Sequence, residues 1–72
     1  MYNTNELINL AFQQFNKWET YYIVFSLMDA RKTTLREIIA IAQMHGISKG
    51  VIEMRRRDYL AHIRFTDTVR TV

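Results

Sequence analysis

The most regular spacing of apolar residues in the chain lies between Thr34 and Tyr59. Leu35, Ile38, Ile39 and Ala42 fall at i, i+3, i+4 and i+7, which lays an apolar stripe along one face of a 3.6-residue helix. Thr34 is placed to cap the start of that helix, and Glu37, three residues on, can return its carboxylate to the cap's backbone N–H. Gly46 ends the stripe, because a glycine can take the left-handed conformation that closes a helix. Ser48 is suited to cap a second helix, which leaves a turn of only His45 to Ile47. On the second helix Ile52, Tyr59 and Ile63 share one side, and Ser48, Lys49, Gly50, Glu53, Met54 and Arg57 occupy the opposite one.

Upstream, Asn3, Thr4 or Asn5 can cap a first helix running to about Asn16, with Leu7, Ile8, Ala11, Phe15 and Trp18 on one face and Phe12 at its edge. The following run is apolar nearly all round. Tyr21, Val24, Phe25 and Met28 match a helix stripe, whereas Tyr22, Ile23 and Leu27 are left on the other side. Its aromatic and β-branched content also permits a buried strand of about eight residues. A helix is preferred over residues 20–28, since no proline or glycine interrupts them. Asp29 to Thr33 is a short polar connection. Residues 64–72, RFTDTVRTV, alternate so that Phe65, Val69 and Val72 suit a small strand or hairpin turning near Thr66 to Thr68, although no Asn-Gly, Asp-Gly or Gly turn is there to force it. The expected fold is mainly all-α, a single domain of three to four helices. Residues 1–31 would form core and dimerisation helices, 34–63 the two-helix unit and 64–72 the hairpin.

Ala42 lies four residues before Gly46, Ile47 follows the glycine, and Ile52 sits five residues further on. This arrangement resembles the helix-turn-helix of DNA-binding regulators, over residues 34–59 and so about a third of the chain. The alanine lets two helices cross closely, the glycine permits the bend, and Ile47 and Ile52 pack beneath. The pattern departs at Arg55, three after Ile52, where family members usually carry an apolar residue. A hairpin after the second helix would be similar to the wing of winged-helix proteins.

Composition narrows the reading further. Seventy-two residues allow one domain, and a chain this short buries roughly 60% of its unfolded surface. Hydrophobic residues are nevertheless 49% of it, nine of them aromatic, an excess that a homodimer through Tyr22, Ile23 and Leu27 would hide. There is no cysteine, which is compatible with a reducing cytoplasm. No stretch resembles a signal peptide or a membrane span, so a soluble cytoplasmic protein is expected. Residues 1–30 carry a net charge of −2 and residues 31–72 a net charge of +5. The basic charge thus coincides with the two-helix unit, and a field of that sign favours polyanions.

Thr34, Ser48, Lys49, Gly50, Glu53, Met54, Arg55, Arg56 and Arg57 are therefore the expected DNA-facing set. Arg57 can make a bidentate contact with guanine, Glu53 can accept from cytosine, and Lys49 with Ser48 can hold a phosphate. Arg55 and Arg56 project toward the flanks of the buried side, where their stems cover apolar surface and their guanidiniums reach a phosphate or a carboxylate. Support for catalysis is slight: no cysteine nucleophile, glycine-rich phosphate loop or Ser/His/Asp grouping is present. His45 and His62 do not form a metal motif, so no enzyme activity, cofactor or metal is expected. The resemblance implies a small transcriptional or mobile-element regulator that binds double-stranded DNA as a homodimer. The rival expectation is a protein-interaction module or small inhibitor that docks on an acidic protein partner.

Overall fold

A computed structural model describes residues 3–15 and 18–71, with residues 65–71 described by their backbone course alone. It contains four helices, α1 (Thr4–Gln14), α2 (Trp18–Asp29), α3 (Leu35–Met44) and α4 (Lys49–Thr71), and no strand among the described residues. The mainly all-α expectation holds. α1 borders α2 and α3, and α4 borders the same two, so the helices form a ring around one core. Phe25, Ile8, Ile38, Ile52 and Val24 are fully enclosed there.

α1 begins at Asn3, whose side-chain oxygen accepts the Glu6 N–H at 2.8 Å while its amide donates to the Glu6 carboxylate at 3.2 Å. Its buried residues are Ile8, Ala11 and Phe12. The expected face is therefore rotated: Leu7 and Phe15 are 39% and 46% exposed, and Trp18 already belongs to α2. The rotation follows from what α1 meets. The Thr20 hydroxyl donates to the Ala11 carbonyl at 3.0 Å, and Phe12 packs edge-on to Tyr21 and face-to-face with His45. The expected end at Asn16 lies outside the described residues.

Residues 20–28 are helical, which removes the strand alternative. Thr20, Tyr21, Val24 and Phe25 are buried, and Ile23 and Leu27 are half-buried against the same core. Only Tyr22 of the expected dimer face stands well out, 45% exposed, with its ring edge against Tyr59.

α2 ends in a left-handed cap built on an unusual residue. The N–H groups of Arg31 and Lys32 donate to the carbonyls of Met28 and Leu27, both at 3.0 Å, and Arg31 sits at φ 61°. An L side chain in that conformation costs about 1 kcal/mol that a glycine does not. Arg31→Gly is therefore expected to stabilise the fold by about 1 kcal/mol, read as a higher urea midpoint at unchanged slope. An unchanged or lower midpoint would show that the arginine side chain compensates for its backbone.

Thr34 caps α3 by accepting the Glu37 N–H at 3.2 Å. The Glu37 carboxylate does not return to the cap's N–H as expected. It accepts from the Thr33 hydroxyl at 3.1 Å, which satisfies a side chain that is only 7% exposed. At the other end Gly46, at φ 78°, donates to the Gln43 carbonyl and Ile47 to the Ala42 carbonyl, the paired bonds of a Schellman cap. The Ser48 hydroxyl then accepts the Val51 N–H at 3.3 Å and starts α4.

The expected wing is not present. α4 continues as helix through residues 64–71, because nothing in RFTDTVRT supplies a glycine, a proline or an Asn-Gly turn to reverse the chain. The Phe65 and Val69 side chains and all of Val72 lie outside the described residues. Among the described residues no helix is long and apolar enough to cross a membrane.

Candidate nucleic-acid interface

The departure at Arg55 resolves into a packing solution. α4 is continuous through this position, and the Arg55 guanidinium lies over the Tyr21 ring, 5.4 Å from its centroid, with Asp58 3.8 Å away. An arginine stem thus fills a place where an apolar side chain would otherwise pack, and the aromatic face partly replaces water for the charge.

Arg56 turns inward as well. It donates to the Asp29 carboxylate at 3.0 Å and lies over both Phe25 and Tyr59, 5.5 Å from each centroid. Its other terminal nitrogen and the Arg55 Nε are buried without a hydrogen-bond partner among the described residues. Arg56 is therefore a strap between α4 and the end of α2. Tyr59, beneath it, has its hydroxyl 3.4 Å from Ser26 Oγ. Burial, reinforced by the nearby Asp29 carboxylate, raises its phenol above the ordinary value of 10.0.

Two members of the RRR run are thus occupied within the chain. Arg57 is exposed and makes no ion pair among the described residues, and the same is true of Lys49 and Arg36. Ser48, Lys49, Gly50, Glu53 and Met54 are also exposed, as expected of the outward side of α4. Thr34 is exposed at the start of α3, the end of that helix remote from the turn.

Between the helices runs an open groove that the sequence did not point to. Leu35 and Ile39 of α3 line it together with Arg36, Lys49 and Glu53, and it continues past Arg56 to Arg57. The groove brings Arg36, which was missed, alongside the expected Lys49, Glu53 and Arg57. The available signal was its position one residue from Leu35, at the border of the α3 stripe.

Comparison with family models, curated proteins and solved structures finds no match to this chain. Its site must be read from its own residues. Among those described, no group of three His, Cys, Asp or Glu is placed to hold a metal. His45 caps α3, pairs through Nε2 with Asn9 Oδ1 and stacks on Phe12, so it ties the end of α3 to α1. His62 is exposed and meets the Trp18 ring edge-on at 5.7 Å. Neither histidine faces the groove between α3 and α4.

Proposed function

We propose that the chain binds double-stranded DNA through α3 and α4, used as a helix-turn-helix, and acts as a small transcriptional or mobile-element regulator. One observation carries the reading. Arg36, Lys49 and Arg57 project from a short-turned helix pair and make no ion pair among the described residues, while Arg55 and Arg56, of the same sequence run, are engaged with Tyr21, Asp58 and Asp29. Unpaired cations beside a capped helix N-terminus suit phosphates, and side chains on the first turns of α4 suit base edges. Glu53 sits among these cations. Its carboxylate can accept from cytosine and penalises sequences that leave it unpaired. A second copy would pack through Tyr22 and the adjoining Ile23 and Leu27, giving a homodimer on two half-sites.

The rival reading is a module that grips an acidic protein partner, favoured by the apolar floor that Leu35 and Ile39 give the groove. A salt titration separates the two. Binding to unrelated duplexes should fall log-linearly with salt, and Lys49→Ala should lower that slope by about one unit while weakening all sequences alike. No duplex binding at low salt would transfer the reading to the acidic partner. Sedimentation equilibrium at about tens of micromolar decides the dimer, since a strict monomer there leaves only one half-site per protein.

A further inference from the structure

Gly50 occupies the first turn of α4 with ordinary helical backbone; the positive φ in this region belongs to Gly46. A Cβ placed on Gly50 would meet nothing closer than the Ser48 hydroxyl oxygen at 4.0 Å, an ordinary contact. Nothing among the described residues asks for a glycine there. In a helix a glycine costs up to about 1 kcal/mol against alanine, so its missing side chain points to something outside the chain.

Met54 stands one turn later on the same outward line and is 42% exposed. Gly50, Met54, Arg57 and Ala61 fall at i, i+4, i+7 and i+11, opposite the buried Ile52 and Tyr59, and all four are exposed. The line therefore has an apolar step, Gly50 with Met54, set between the cations Lys49 and Arg57. The major groove offers mostly hydrogen-bonding edges, with one prominent apolar feature, the methyl on C5 of a pyrimidine.

We propose that Gly50 and Met54 together receive a pyrimidine 5-methyl group in the major groove, from thymine or from 5-methylcytosine. This rests on the duplex-binding reading above. Gly50 lets the α4 backbone come close to the base edges, and the unbranched thioether of Met54 packs against the methyl. Arg57 and Lys49, on either side, hold the helix in register through guanine or phosphate.

The test uses a duplex selected by the parent protein from random sequences. Each thymine is replaced in turn by deoxyuridine, which removes only the methyl, and each cytosine in turn by 5-methylcytosine, which adds one. If thymine is the source, one deoxyuridine position should weaken the parent about fourfold, the worth of one methyl returned to water. If 5-methylcytosine is the source, one methylated position should strengthen it about fourfold. Either effect should vanish in Met54→Ala, whose exposed site leaves folding intact. Gly50→Ala should unfold at higher temperature yet bind the selected duplex at least fourfold more weakly. Binding that is indifferent to both base replacements, or a methyl effect that survives in Met54→Ala, overturns the proposal while duplex binding stands. If the parent binds no duplex at low salt, the DNA reading and this proposal fall together.

Discussion

Phe25→Ala is expected to lower the thermal unfolding midpoint by about 20 °C or more. Phe25 is fully enclosed, stacks on Tyr21, lies 5.5 Å from the Tyr59 centroid and carries the Arg56 guanidinium on its face. Removing such a ring costs about 3 to 5 kcal/mol through lost burial and the cavity left behind. A domain of this length has roughly 4 to 11 kcal/mol in total, so the loss is a large share of everything that holds it. Circular dichroism during a thermal scan is the measurement. A midpoint within a few degrees of the parent would mean that Phe25 does not sit in the core that the four helices surround.

The second large effect separates neighbouring arginines. Arg57→Ala should change base preference at one or two positions by about 1 to 3 kcal/mol and leave the unfolding midpoint almost unmoved, because its side chain is exposed and without an ion pair among the described residues. Arg56→Ala should do the reverse. It removes the strap to Asp29 and the cover over Phe25 and Tyr59, which should cost about 1 to 3 kcal/mol of stability, with duplex affinity unchanged per folded molecule. Arg56→Met should recover much of that loss, since the stem does most of the covering and Asp29 is 46% exposed to water. If Arg56→Ala and Arg57→Ala shift base preference equally, the inward and outward assignments are wrong.

These two arginines also show what the sequence could and could not disclose. Thr34, Gly46 and Ser48 announce the bounds of α3 and the start of α4, because each does its work through backbone groups within three or four residues of itself. Local chemistry of that kind is legible in one dimension. The partner of Arg56 is Asp29, 27 positions away, and no spacing along the chain marks which of three adjacent arginines will meet it. The same holds for α1, where Leu7, Ile8, Ala11, Phe12 and Phe15 give an apolar arc too broad to fix its centre. Only the contacts with Thr20, Tyr21 and His45 turn it toward Ile8, Ala11 and Phe12. The wing failed for another reason. RFTDTVRT alternates as a strand would, yet with no turn residue to end α4, elongating an existing helix adds one bond per residue without a new nucleus. On the candidate site, the outward ridge of α4 followed from helical period alone, whereas the groove needed α3 to be docked before Arg36, Leu35 and Ile39 could be seen beside it.

The ring in which α4 seals both α2 and α3 carries a kinetic consequence. Among the described residues, α4 supplies the buried Ile52 and Tyr59 and the half-buried Ile63 to the core, and Ser26 waits 33 residues for its Tyr59 partner. As the chain leaves the ribosome, α1, α2 and α3 emerge with Phe25 still lacking the Tyr59 ring that packs on it. Collapse to the native core is therefore delayed until Tyr59 has been made and has cleared the exit tunnel. In that interval the growing chain presents its stickiest surface, and the helix proposed to read DNA is also the one that ends its exposure.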